Sequence, residues 1–462
     1  MMIRHRYSRF VPGKPLRYQI DMWFRPETFL AIYLALIGFY GLFEVSLVST
    51  FGWSFLGIYQ RPVTLGMYLF VAGTAIWVLL VRRPVRAKPV SLAAQMVFIF
   101  FLLEFLLLAL MGVQYGRARG NVQVVNYQQG LEIFIMVAVA GYLATESTDR
   151  VARILRPFVY LLVFLSLLNA VSVIANNATR LIRLPFASFD MLFVLPFAAI
   201  YFLARYLMTS RRRLLALLMF IGATAGVFLR FEKPVLVPFV LACAVLYGLL
   251  LLAAGKLSLT SRWQLLKRIL ILIAGGVLVL TFVELIVPGN LLGELLLLFF
   301  RRFLKFNPTT AQVIGRLDGG RFYLWQQGWE MLKTSPLWGV GFGPGIRSDL
   351  GTVVFPHNLL VEFLVGTGLL GGTVLLAWLA ASTVYILRSF NWNEQPIFKL
   401  GLLGFLIYAL IVSMVGVLWG HLALLNLTAL TLGMVLKIAT LDREGRTNAR
   451  PGPGEDNRIK RL

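Results

Sequence analysis

Of the three histidines in the chain, His357 is the one placed for acid–base work. It closes a Gly-rich stretch, Ser335 to Pro356, and heads the apolar run NLLVEFLVGTGLLGG that begins at Asn358. An imidazole changes charge near neutral pH, so it can accept a proton from an attacking hydroxyl. His5 lies in a basic N-terminal segment and His421 in a turn between two apolar runs, which leaves His357 as the candidate base. Asn358 is a good helix N-cap, so a helix is expected to start here, with its unpaired amides and positive dipole end favouring an anion. Glu362 falls one turn later on the same face, either orienting a partner or standing as an interfacial charge.

Arginine is the second chemical signal. Arg117, Arg119, Arg180, Arg183, Arg230 with Lys233, and a series from Arg301 to Arg347 all fall in segments that charge bias assigns to the outer side of a membrane. A guanidinium fork donates two hydrogen bonds to phosphate oxygens, so outward arginines suit a diphosphate, although some simply snorkel to headgroups.

These residues need a membrane frame. Hydrophobic residues make up 59% of the 462 positions and the mean hydropathy is +0.79, more than a soluble core can hide. Apolar stretches recur at 28–48, 63–81, 91–111, 129–145, 157–174, 187–208, 214–229, 235–254, 269–287, 358–387, 400–418 and 422–438. The expected fold class is an all-α integral membrane protein with about twelve transmembrane helices. The first stretch reads as a retained helix, because no small-residue cleavage site follows it.

Most of the 44 Lys and Arg residues fall in the termini and in segments 82–88, 150–156, 210–213 and 256–268, which alternate onto one face. That face is expected to be cytoplasmic, with both termini on it. The net charge of +24 is dispersed over membrane-flanking loops, which suits anionic lipid and argues against nucleic acid. Cys243 lies inside an apolar stretch as a small packing residue and says nothing of redox compartment.

The chain divides into a basic segment at 1–27, membrane helices over 28–287, a large outer loop at 288–356, further membrane helices over 357–438, and a basic tail at 439–462. From 443 onward the tail is expected to be disordered. Within the loop, 291–306 reads as an interfacial helix carrying Glu294, Arg301 and Lys305. A second helix over 321–332 would line up Phe322, Trp325, Trp329 and Leu332, with Arg321 on its shoulder. Pro336 ends it, and GVGFGPG lacks the strand and helix of a dinucleotide site, so it reads as a structural turn. Arg316 in GRLDGG is an alternative to Arg321 as the anion-binding residue. Glu104, Glu44 and Glu284 lie inside or near the ends of apolar stretches, their roles open, and Glu104 could pair with Arg205.

The pattern R-x-x-x-W-x-x-G-W-x-M-L…P-L-W-G-V-G-F-G…P-H-N-x-L-x-E-x-x-x-x-x-G-L-x-G, from Arg321 to Gly371, resembles the signature region of the O-antigen ligase and O-antigen polymerase superfamily of bacterial envelope enzymes. The large outer loop before the last helices is similar too. The resemblance implies a GT-C-like membrane glycosyltransferase of the bacterial inner membrane, with its active site at the periplasmic face. Such an enzyme takes a polyprenyl-diphosphate-linked glycan donor and uses no nucleotide sugar, metal or other cofactor.

By the resemblance, His357 is the catalytic base or acceptor-orienting residue and Arg321 holds the diphosphate. Arg230 matches a further family arginine at the outer end of a middle span. Its surroundings, FLRFEKPVL, depart from the family pattern, and Lys233 could share the phosphate role. The acceptor would be a second lipid-linked glycan, making a polymerase, or the lipid A core, making a ligase; the HNxLxE form favours the polymerase. A chain-length regulator is a further possible partner. The reading from another class is a transporter or flippase of lipid-linked glycan. A transporter should set its polar residues near the midplane in related halves, whereas here they gather in the outer loops.

Overall fold

A computed structural model describes the backbone of residues 27–38, 61–80, 122–179, 189–209, 212–230, 233–253, 261–286, 321–341, 346–347, 353–354, 358–415 and 422–448. In chain order the helices are α1 (Glu27–Gly38), α2 (Arg61–Leu80), α3 (Val122–Ala144), α4 (Thr148–Thr179), α5 (Phe189–Leu192), α6 (Pro196–Met208), α7 (Arg213–Arg230), α8 (Lys233–Ala253), α9 (Arg262–Ile286) and α10 (Arg321–Thr334). A minimal antiparallel pair follows, β1 (Ile346–Arg347) with β2 (Val353–Val354), in the register Ile346 to Val354. The last helices are α11 (Leu359–Ser389), α12 (Pro396–Val415) and α13 (Leu422–Asn448).

Among the described residues, five helical stretches are long and apolar enough to cross a membrane: Thr148–Val171, Pro234–Leu251, Leu359–Ser389, Pro396–Met414 and Ala423–Arg446. Every stretch expected from the sequence falls at least partly on a described helix, except 91–111, which lies outside the described residues along with the interfacial helix at 291–306. Leucines on these helices stand exposed, among them Leu218 on α7, Leu241 on α8 and Leu376 on α11. Water would penalise such surfaces, and lipid does not.

Small residues and buried polar groups join the helices. Gly141 of α3 faces the backbone of Leu430 on α13, while Gly433 of α13 faces the carbonyl of Ala138; a β-carbon at either glycine would force the pair apart. Tyr33 of α1 donates to Asn426 Oδ1 of α13 at 2.6 Å and stacks on Phe70 of α2. Between α4 and α7, Ser166 Oγ donates to Ala223 O and accepts from Gly226 N, and Asn169 donates to Gly226 O at 2.9 Å. Such interhelical bonds contribute about 0.6 kcal/mol each in membranes, so close packing carries much of the association.

One end of the bundle is held by charge. Lys399, fully buried at the start of α12, donates to Asp442 of α13 at 2.6 Å and to Asn391 O at 2.8 Å, and Asp442 also accepts from Asn391 N at 2.7 Å. Arg446 donates to the carbonyls of Arg388 and Ser389, and Gln395 donates to Asp149 at the start of α4. Arg150 pairs with Glu27 and Glu146.

Several expectations need correction. The stretch at 187–208 is interrupted, with α5 ending in a turn before Pro196, whose missing N–H lets α6 start afresh. The tail is ordered further than expected: α13 continues to Asn448, because Asp442 and Arg446 fasten it to the α11–α12 connection. The stretch at 358–387 is not a continuous helix either, since α11 breaks at Gly368. Arg205, considered as a partner for Glu104, donates to Tyr160 at 3.3 Å; Glu104 and Glu44 lie outside the described residues.

Candidate functional site

The site frame is built from α10, the turn after it and the first part of α11. On α10, Leu324, Gly328 and Leu332 recur at one-turn spacing and are buried. The inward face is therefore displaced from the expected aromatic stripe. Trp329, assigned to that stripe, is 55% exposed, and Trp325 is only partly buried. Helical periodicity locates a face but not which of two adjacent faces finds a neighbour.

At the end of α10, Ser335 N donates to Leu332 O, and Gly339 N closes a turn on Ser335 O at 2.8 Å. The chain then runs alongside α11 at its break. Val340 N donates to Val365 O at 2.8 Å and Gly341 N to Gly366 O at 3.1 Å. In the other direction, Leu369 N donates to Pro336 O at 2.8 Å and Leu370 N to Leu337 O at 3.3 Å. A helix broken inside a membrane protein frees carbonyls on one side and amides on the other, each costly to leave unpaired. The turn at 336–341 supplies partners for both.

Two glycines make this exchange possible. Gly368 has φ 70° and ψ −169°, a conformation nearly confined to glycine. Gly339 has φ 72°, and a β-carbon there would come within 2.6 Å of Gly366 backbone atoms and 2.5 Å of Gly368 N. A β-carbon on Gly368 would collide with the Leu337 carbonyl. GVGFGPG was expected to be a structural turn; its first glycines turn the chain, and they also pair it with a second segment, the break in α11.

At the head of α11, Asn358 has extended φ/ψ and its side chain accepts from Val361 N at 3.1 Å, as expected of an N-cap. Glu362 sits in the first turn with 4% exposure, which removes the interfacial-charge reading for it.

His357 and Arg316 lie outside the described residues. Arg321, Arg230 and Lys233 are described at the backbone: Arg321 is the first residue of α10, Arg230 the last of α7 and Lys233 the first of α8. Arg213, at the other end of α7, donates to Thr209 O near the buried Arg268. Arg230 and Lys233 therefore occupy the end of the α7–α8 pair remote from that arginine cluster. Glu284 is described only as part of α9. Among the described residues no three His, Cys, Asp or Glu side chains gather as metal ligands.

The glycine pairing and the Lys399–Asp442 clamp were not expected from the sequence. TGLLGG, continuing the Gly-rich run into an apolar helix, was the available signal for the first; a lysine and an aspartate 43 positions apart gave none for the second. Compared with known proteins, the chain matches no protein-family model and no curated protein.

Proposed function

We propose that the protein is a glycosyltransferase that polymerises polyprenyl-diphosphate-linked oligosaccharide repeat units at the periplasmic face of the bacterial inner membrane, working through about twelve transmembrane helices with both termini cytoplasmic. The observation that carries this reading is the pairing of 336–341 with the break in α11. It joins the helix that begins with Arg321 to the helix that follows His357 in sequence, which is the support for assigning both residues to one site.

The reaction follows from the residue types. Neutral His357 takes the proton of an acceptor sugar hydroxyl as that oxygen attacks the anomeric carbon of the donor. The carbon–oxygen bond to the polyprenyl diphosphate breaks, and the diphosphate leaves with the bonding electron pair. Arg321, with Arg230, Lys233 and Arg316 as further cations, stabilises the charge that gathers on it. Arg321 and Lys233 each open a helix, where unpaired amides add to the attraction for phosphate. Asn358 fixes the start of α11, the helix that follows His357 in sequence.

The test is glycan transfer by purified protein in nanodiscs, from a polyprenyl-diphosphate-linked repeat unit, with EDTA present and nucleotide sugar absent. Expected is a ladder of longer lipid-linked products, lost in His357→Ala while donor binding remains and weakened in donor binding by Arg321→Ala. Equal activity in wild type and His357→Ala would remove the catalytic assignment. Transfer only on adding lipid A core would make the protein a ligase, and movement of donor across a sealed membrane without transfer would make it a flippase.

A further inference from the structure

Helix α11 covers 31 residues across its break, whereas about 20 helical residues suffice for the roughly 30 Å of bilayer hydrocarbon. Its two parts differ in what they show to the surroundings. From Asn358 to Gly368 no residue is exposed. From Leu369 onward an exposed stripe begins and repeats at helical spacing through Leu369, Thr373, Leu376, Ala380, Thr383 and Leu387. That stripe is about 27 Å long, close to the hydrocarbon thickness.

The start of the stripe coincides with the paired turn. Leu369 and Leu370 are 46% and 40% exposed, and their amides bond the carbonyls of Pro336 and Leu337. Leu337 and Trp338 on the turn are 58% and 51% exposed, and Trp329 on α10 adds another exposed ring. Beside Trp329, Glu330 and Lys333 form an exposed ion pair at 2.8 Å, so charge borders the apolar patch on the α10 side. Tryptophan between an apolar stripe and charged residues is the pattern of a membrane–water boundary.

We propose that the bilayer hydrocarbon begins at the break at Gly368 and not at Asn358, with Leu337, Trp338, Leu369, Leu370 and Trp329 seated on the lipid leaflet at the acyl-chain and headgroup boundary. The patch is continuous with the stripe that α11 presents to lipid, which commits it to a lipid occupant. The enclosed segment Leu359–Thr367 and α10 then stand outside the hydrocarbon as one unit, moored to the leaflet by the turn. Gly368 lets α11 stop serving the membrane and start serving that unit. This inference requires α11 to span a bilayer and is independent of glycan transfer.

The experiment uses full-length protein carrying Cys243→Ala and single nitroxide-labelled cysteines at exposed positions, Leu376→Cys, Leu370→Cys, Leu337→Cys and Lys333→Cys, in phosphatidylcholine–phosphatidylglycerol vesicles. Collision with oxygen is compared with collision with a water-soluble nickel chelate. The ratio is expected to fall several-fold from Leu376 to Lys333, with Leu370 and Leu337 between. Leu337 as nickel-accessible as Lys333 would put the patch in water and overturn the proposal. So would Leu370 and Leu337 matching Leu376, which would bury the break in the hydrocarbon. Spin–spin broadening at Leu337 that disappears on dilution with unlabelled protein would replace lipid by a second copy. A measurement without cysteines is quenching by lipids brominated near the carbonyl: Trp338→Phe should remove part of the quenchable fluorescence, and an unchanged quenchable fraction would count against the boundary.

Discussion

The C-terminal end of α11 and its internal break at Gly368 are fixed by opposite means. At the Ser389 end, side chains hold the helix: a buried Lys399–Asp442 pair, an aspartate accepting a backbone amide, and Arg446 on two carbonyls. At the Gly368 break the backbone holds it, through four hydrogen bonds exchanged with residues 336–341 and two glycines whose conformation leaves room for the exchange. A charge clamp tolerates backbone adjustment but not the loss of one partner. A backbone exchange is indifferent to most side chains and intolerant of a β-carbon at its crossing point. Rigidity by side chains thus lies at the C-terminal end of α11, and positioning by close backbone approach lies at its break.

The largest effect should come from breaking the clamp. Asp442→Ala leaves Lys399 buried without its carboxylate, and thermal unfolding in detergent should show a loss of about 3–5 kcal/mol. The double change Lys399→Met with Asp442→Leu should recover most of that loss. Failure to recover would mean that the hydrogen bonds to Asn391, and not the ion pair, hold this end.

Next in size, Gly368→Ala should cost about 2–3 kcal/mol through backbone strain and collision with the Leu337 carbonyl. Hydrogen exchange sharpens the comparison: amides of Val340, Gly341 and Leu370 should lose protection while those around Lys399 keep theirs. Loss at both places together would show one cooperative unit in place of two independent fixings.

Smaller again, Asn358→Ala removes the cap accepted by Val361 N and should cost about 1 kcal/mol. Under the proposed function, transfer should fall by more than stability does, because the cap fixes the start of the helix that follows His357 in sequence. The smallest effect belongs to the exposed stripe. Leu376→Ala should change the unfolding temperature little, since its side chain is 49% exposed and lipid covers it in either form.

Much of the helical frame could be read from apolar runs because a spanning helix must keep about 20 apolar residues together. Asn358 was readable as a cap for a local reason too: its side chain reaches only the next few amides. The face of α10 was not readable. Trp329 and Leu324 both fit helical spacing, and the choice between them rests on contacts with α11. Nor was the continuation of α13 to Asn448 readable, because a polar, basic stretch looks disordered until its arginine finds two free carbonyls 57 and 58 residues earlier.

Within the candidate site, the sequence marks residue types and local positions: His357 before an N-cap, Arg321 at the head of a helix, Arg230 and Lys233 flanking a turn. Composition also points to an apolar solvent, since 59% hydrophobic residues leave more apolar surface than a soluble core ordinarily buries. Only the tertiary structure decided that α11 is two segments joined at Gly368 and that residues 336–341 complete the break. Hydrogen bonds between backbone groups about 30 residues apart depend on approach distance and conformation, and side-chain pattern encodes neither.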